Sequence, residues 1–536
     1  MEAYRGFQEG NPNHAKRGVT RRGNVGSMHV CIRRHGAALI SGAALAVCFP
    51  TYHLYGLVWI ALVPLLARTL RCGPAESARQ FFLAGGVFYL LLLQWLLSNV
   101  YWAGGWAIWG YLALCALMAG YWAGCGALWA WMRGRCVWLP QSFALAVVWV
   151  SMEWLQARLF TGFGWGALAY SQANDLPLLQ LASVGGTGLI AFVVVLVNAL
   201  VAAAVVEFPG GLVGAIRGSA IAVILGLTHL GGQYLLLDAP QYDPDPFQVG
   251  MYQSAYPLEM KWDPAYTFEM VDRAATYSEA LATGGRQDLF VWPEALVMRD
   301  IGDPEIFARL QAMAACTNTP LFTGVFREDD ETGNERNAGV LLDASGRVAG
   351  HYDKIHLAPF GEYVPLGRLL PFVSKVVPSI GEVEPGAEAR LFDVGKRRFG
   401  PLICFETLFP EMAERLRRDG ADFLVVITNL AWFGASNAIP EEIEIARLRC
   451  VETRLPMVHV SNTGVTGIID PYGVLTPLAC AKEGRLIQEG NRLAGALPLP
   501  KAAQSPLPGG PVFFPWIALA LTFMFIGIAV CPRRAS

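Results

Sequence analysis

QFFLAGGVFYLLLLQWLLSNVYWAGGWAIWGYLALCALMAGYWAGCGALWAWM, residues 80–132, carries no charged side chain. About 20 apolar residues cross a bilayer core, so this stretch alone is long enough for two crossings. Working outward from it, apolar segments recur at Ala37–Phe49, Leu54–Ala67, Phe81–Ser98, Trp106–Met132, Phe143–Leu159, Leu181–Val206, Gly218–Leu236 and Phe513–Val530. The first two are short for a full crossing. The first is read as a span rather than a signal peptide, because no small-residue cleavage site follows it and further spans do. The whole chain agrees: 536 residues, 54% hydrophobic, 16% charged, mean hydropathy +0.38. Soluble domains carry about 25% charge. A balance of 41 basic against 43 acidic residues excludes a nucleic-acid footprint. The 11 cysteines form no C-x-x-C pair, so neither a zinc framework nor a redox motif is expected.

Loop charges give the orientation. Short cytoplasmic loops are enriched in Lys and Arg. The N-terminal tail holds Arg5, Lys16, Arg17, Arg21, Arg22, Arg33 and Arg34. Arg68, Arg71 and Arg79 follow two crossings, Arg133 and Arg135 four, Arg217 six, and Arg533 and Arg534 eight. Intervening loops contain only Arg158. Both termini are therefore expected in the cytoplasm and the long segment 237–511 on the opposite side; a start at Met28 would leave this parity intact. Tyr101, Trp102, Trp106 and Phe160–Trp165 read as an interfacial aromatic belt. Glu153 lies in an apolar run, where a carboxylate is expensive, and Arg158 is the expected partner. Gln94 and His229 are expected as packing polar groups.

Residues 237–511 are the right size for one domain. FQVGMYQ (247–253), DLFVWPE (288–294), PLFTGVF (320–326), AGVLLD (338–343), PLICFE (401–406), DFLVVITN (422–429) and MVHVSNTGV (457–465) read as strands buried on both faces. Ala265–Ala282, Pro304–Ala315 and Pro440–Glu452 suit helices, giving an α/β domain. Three strand-end or post-strand positions hold reactive groups: Glu294, Lys354 and Cys404. A thiol nucleophile needs a base, which a desolvated carboxylate can supply. A developing oxyanion needs a fixed cation. Together the three suffice for acyl transfer through a thioester with no metal and no organic cofactor. Each alone is weak, since a lone Cys after an apolar strand is usually a small core residue.

The words around them resemble the nitrilase (carbon–nitrogen hydrolase) superfamily, with Glu294 in VWPE, Lys354 in YDKIHLAPFGE and Cys404 in LICFE. The fuller resemblance is to the bacterial apolipoprotein N-acyltransferase family, through TGFGWGALAYSQ (161–172), KWD (261–263), HLAPFGEYVPL (356–366), AWFG (431–434), ARLR (446–449) and NTGVTGIIDPYG (462–473). It covers nearly the whole chain from about residue 36. It implies a polytopic bundle of eight spans plus an α/β nitrilase-like αββα sandwich, divided into a basic tail (1–35), seven spans (36–236), a periplasmic catalytic domain (237–511) and a last span with its tail (512–536). It implies an inner-membrane enzyme, a monomer, that takes an acyl chain from a phospholipid and passes it to the amine of the lipid-modified first cysteine of an apolipoprotein. Cys404 would be the nucleophile, Glu294 the base, and Lys354 the oxyanion partner together with the backbone N–H of Phe405. Glu362 and Glu406 would keep Lys354 charged and oriented. Trp262 and Trp432 would lie on the substrate side, Trp262 on a mobile loop.

LGRLLPFVSKVVPS (366–379) reads either as a gate for an acyl chain, through Leu369, Leu370 and Phe372, or as ordinary packing under a long loop. The chain departs from the family pattern at Leu430, where Asp is usual, at IPEEIEIARLR (439–449), where a His-containing segment is usual, and at Phe405, where Tyr is common. A membrane-tethered amidase and a catalytically silent lipoprotein-binding protein remain open alternatives at this point. Cys404 must stay a free thiol; pairing of Cys316, Cys450 and Cys480 is not readable from spacing.

Overall fold

The computed structural model describes residues 23–50, 52–136, 139–207, 211–237, 241–329, 332–359, 361–363, 383–479, 493–501 and 510–530. The apolar segments are all helical. Helices α1 (Gly23–Ala46), α2 (Pro74–Leu92), α3 (Trp106–Arg133), α4 (Gln141–Gln156), α5 (Ala182–Glu207) and α6 (Gly211–Leu237) precede the α/β domain, and a last helix, Gly510–Val530, follows it. Among the described residues, five helical stretches are long and apolar enough to cross a membrane: Pro74–Asn99, Trp106–Arg133, Ala182–Val206, Leu212–Leu237 and Val512–Val530. The protein is a membrane protein.

The shorter segments are instructive. Leu54–Ala67 is broken into a 3-10 turn (Tyr55–Leu57) and two short helices (Val58–Ala61 and Val63–Thr69), the second restarted at Pro64. The break frees backbone groups that cannot stay unpaired in an apolar setting. Asn198 Oδ1 accepts from Leu62 N at 2.9 Å, and Ser41 Oγ from Leu65 N at 3.0 Å. Helix α5 likewise kinks at Gly185 and Gly186 (φ +63°), and Glu452 of the α/β domain accepts from Thr187 N at 3.2 Å.

Three polar or aromatic expectations are corrected. Glu153 pairs not with Arg158 but with the Trp149 indole N–H (2.9 Å) and Leu168 N (3.1 Å). Arg158 reaches Glu411 (3.4 Å) and lies over the Trp154 ring, drawn outward by the α/β domain. Trp165 is no belt residue: it is buried, 4.8 Å from the Trp95 ring, and donates to Glu441, whereas Tyr101, Trp106 and Phe160 are exposed. Gln94 is exposed rather than packed, since the helix unwinds into a 3-10 turn over Leu93–Asn99. His229 does serve as a packing polar group, bonded to Leu225 O (2.9 Å) and Asp175 (3.0 Å).

In the α/β domain the strands are β1 (Phe247–Met251), β2 (Leu289–Val291), β3 (Val297–Asp300), β4 (Leu321–Glu328), β5 (Glu335–Leu342), β6 (Val348–Asp353), β7 (Phe392–Val394), β8 (Arg397–Ile403), β9 (Phe423–Thr428), β10 (Met457–Ser461), β11 (Thr466–Ile469), β12 (Leu475–Ala479) and β13 (Leu493–Leu497). One sheet runs β13-β1-β2-β4-β5-β6 with β3 beside β4, the other β12-β11-β10-β9-β8-β7. Each has a parallel centre, with registers Val249↔Leu289 in the first and Phe399↔Phe423 and Leu424↔Met457 in the second. The two sheets face each other through rings such as Phe322 and Phe399, 5.1 Å apart. Helices α7 (Thr267–Gly284) and α8 (Pro304–Thr317) cover the first sheet, packing Met270, Val271 and Leu310 on Phe290 and Trp292. Helices α9 (Pro410–Arg418) and α10 (Ala438–Thr453) cover the second, completing αββα; the Gly510–Val530 helix is α11.

Helix α10 lies between that sheet and the membrane helices, so nearly all of its residues are buried. Its charges find partners within the helix, Arg449 with Glu452 (2.8 Å), and on both sides of it, Glu442 with His459 (2.9 Å) and Arg447 with Asn174 (2.9 Å). Buried charge is tolerated only when paired in this way.

Candidate active site

Glu294 and Cys404 stand where parallel strands run out, the usual place for catalytic side chains in α/β sheets, and Lys354 follows an antiparallel edge strand. Strand β2 ends at Val291, and Glu294 lies in the turn after it. Lys354 is the residue after β6, its N–H bonded to Asn337 O of β5 (2.8 Å). Strand β8 stops at Ile403, three residues short of the expected end at Glu406, because Cys404 has φ +51° and opens a 3-10 turn, Cys404–Leu408. A side chain in the left-handed region costs on the order of 1–3 kcal/mol and persists only where its surroundings impose it. Glu406 imposes it here. One oxygen accepts from Ile403 N (2.7 Å); the other accepts from Ile355 N (2.7 Å), His356 N (3.2 Å) and the Tyr352 hydroxyl (2.8 Å). A single buried carboxylate thus ties the cysteine turn to the lysine turn.

Lys354 Nζ donates to Glu294 Oε1 (3.1 Å) and Glu362 Oε1 (3.0 Å). The Asn337 amide donates to the same two atoms, at 2.9 and 2.6 Å. Glu362 Oε2 accepts from Ala358 N (2.7 Å). Glu294, Lys354 and Glu406 are buried. Burial works against the charge on Lys354, but Glu294 and Glu362 outweigh it and hold the amine well above its usual range. It is a fixed cation. Burial, then the Glu294 charge, pushes the Cys404 thiol up to about 12 against the pull of Lys354. The resting thiol is therefore protonated, and a base must remove its proton as it reacts. Burial lifts Glu406 to about 7, opposed by the donors around it.

The expected residues are thus brought together, with a division of labour. Glu362 reaches the ammonium directly, whereas Glu406 acts on the backbone that follows Lys354. Phe405 sits in the cysteine turn, its ring 6.4 Å from Phe163 of the membrane region. Trp262 is 37% exposed, and its ring lies 6.0 Å from those of both Trp432 and Phe326. Leu430 is buried, and the IPEEIEIARLR stretch lies in α10. Leu369, Leu370 and Phe372 lie outside the described residues. Cys316, Cys404 and Cys450 are all free thiols, and Cys480 lies outside the described residues. Sequence reasoning missed Asn337 and Lys261. The signal for Asn337 was an amide immediately before the apolar run AGVLL of β5; Lys261 stood unremarked in the quoted KWD. Among the described residues no His, Cys, Asp and Glu cluster could hold a metal.

Residues 248–488 match the family model described as carbon–nitrogen hydrolase, so the chain carries a nitrilase-like α/β domain with a Glu–Lys–Cys cluster on an apolar helical bundle. Residues 41–200 match the one described as apolipoprotein N-acyltransferase N-terminal domain. Curated proteins named apolipoprotein N-acyltransferase are similar along most of the chain. That of Geobacter metallireducens is 34% identical over 82% of this chain and 86% of its own length. That of Gloeobacter violaceus is 31% identical over 82% and 84%. The chain belongs to the apolipoprotein N-acyltransferase family. Among solved structures, Saccharomyces cerevisiae Nit3 of the nitrilase superfamily aligns with 48% of this chain and 91% of its own, at 18% identity and TM-score 0.37.

Proposed function

We propose that the protein transfers a fatty acyl chain from a phospholipid, through a thioester on Cys404, to the N-terminal amine of the lipid-modified cysteine of an apolipoprotein. Glu294 takes the thiol proton as sulfur attacks the ester carbonyl. Lys354 and the backbone N–H of Phe405 stabilise the oxyanion, and the carbon–oxygen bond breaks as Glu294 returns the proton to the departing lysophospholipid. The acceptor amine then attacks the thioester carbonyl. Glu294 takes a proton from the new nitrogen and hands it to the leaving sulfur, restoring the thiol. The observation that carries this reading is the Lys354 ammonium bridging Glu294 and Glu362 beside a cysteine held on a strained turn. Trp262, Trp432, Leu369, Leu370 and Phe372 are assigned to the lipid-facing approach.

The alternation of arginine-rich loops supports eight spans, with both termini cytoplasmic and residues 237–511 on the opposite side; membership of the family supports a bacterial inner-membrane monomer with that segment in the periplasm. No metal and no organic cofactor enters the scheme. Mass spectrometry of the full chain in phospholipid tests it: a fatty acyl mass on the Cys404 peptide, removed by neutral hydroxylamine, is expected. Hydrolysis of short amides without any such mass would replace the transferase with a hydrolase.

A further inference from the structure

Two lysines hold Glu294, one at each end. Lys354 grips its carboxylate. Lys261, which the scheme above leaves unused, is buried at 1% exposure and donates to the Glu294 main-chain carbonyl at 2.7 Å. A lysine is seldom placed so deep without a reason.

The turn it touches needs holding. Ala295, next in the chain, has φ +50°, a conformation an alanine adopts only under constraint. From the other side Gly324 presses on the turn: a Cβ there would stand 2.4 Å from Ala295 N and 2.6 Å from Glu294 Cα. Lys261 itself ends the short helix Leu258–Lys261, and the next residue is Trp262, whose ring meets Trp432. Asn462 anchors the start of this segment, accepting from Tyr256 N (3.0 Å) and donating to Tyr256 O (2.9 Å). Its amide also donates to Asn429, just before the Trp432 turn. The lysine is therefore a strut between a braced segment and the backbone of the base.

We propose that Lys261 is a positioning residue for Glu294: by clamping the Glu294 carbonyl it locks the Glu294–Ala295 turn and sets where the carboxylate stands relative to the Cys404 sulfur. The clamp needs only an N–H, so it survives in either protonation state. Burial draws this amine down to about 7 despite the attraction of Glu294 and Cys404. The proposal rests on the acyltransferase reading and deepens it.

The full-length protein, stripped with neutral hydroxylamine and then given phospholipid in mixed micelles, reports both. If the wild type gains no acyl mass, the acyltransferase reading falls. If it does, Lys261→Met, which keeps chain length but deletes the donor, is expected to acylate on the order of 10²-fold more slowly, the penalty for a misplaced group. The phospholipid fraction giving half-maximal rate is expected to stay the same. Lys261→Ala opens a slot into which n-propylammonium fits, and the amine is expected to restore the rate where 1-chloropropane, which fills the slot without a donor, does not. Acylation by Lys261→Met at the wild-type rate, a change confined to the half-saturating lipid fraction, or equal rescue by 1-chloropropane overturns the proposal. Should Lys261→Met not fold, the alanine variant decides; an amine that restores its fold but not its rate also overturns it.

Discussion

Cys404 carries a cost that a purely structural cysteine would avoid, a left-handed backbone, and its thiol proton is held tightly by burial. The strain makes a prediction about stability, since Gly adopts that conformation freely. Cys404→Gly is expected to melt about 2 °C above Cys404→Ala in detergent, from about 1 kcal/mol for a left-handed side chain; equal melting would show the turn relaxed. For chemistry, Cys404→Ser is expected to abolish the acyl mass while Cys450→Ser retains it. Cys450 is fully buried in α10, its proton held well above the usual thiol range by burial. Asn337 holds Glu294 and Glu362 at a shared distance from the ammonium. Asn337→Leu is expected to slow acylation at least 10-fold, because two buried carboxylate oxygens lose a donor; a single-turnover rate within 2-fold of wild type would remove it from the site.

At the scale of elements, α10 decides how the catalytic domain sits on the bundle. Glu441 accepts from the Trp165 indole (2.6 Å) and from Asn437 (2.6 Å), and Asn437 also donates to Leu92 O of α2 (2.9 Å). Burial raises the Glu441 carboxyl from 4.5 to about 8, against the pull of these donors. Between those values the folded protein binds the proton and the unfolded chain does not, so this group's contribution to stability falls as pH rises through that window. Glu441→Gln keeps a neutral acceptor in place. It is expected to flatten the loss of melting temperature between pH 6 and 8.5, while Glu406 and Glu452, both also lifted by burial to about 7, continue to act in either protein. Lys261, with its proton released near 7, acts in the opposite sense. Identical pH profiles for variant and wild type would place the Glu441 proton outside the unfolding equilibrium.

For the whole molecule, the open question is which side of the bilayer the sandwich faces. Cys316 is exposed on α8, while Cys48, Cys72, Cys115, Cys125, Cys136, Cys404 and Cys450 are buried or half-buried. A membrane-impermeant maleimide added to intact spheroplasts is expected to label the wild type and to lose most of that label in Cys316→Ala. Labelling only after lysis would put the domain in the cytoplasm and overturn the arginine-based orientation.

Hydrophobic runs made the helices and the main strands readable, because burial is set by local composition and period. The words around Glu294, Lys354 and Cys404, by their resemblance to a family, picked out three residues that the fold brings near one another. The partners of single polar groups were not readable. Glu153 and Arg158 are neighbours in the chain yet are drawn to Leu168 and Glu411, since which donor reaches a buried carboxylate depends on how elements dock. Trp165 looked like a belt residue until the catalytic domain covered it. Asn337 and Lys261 act on Glu294 from 43 and 33 residues away, a proximity that exists only after the chain has packed.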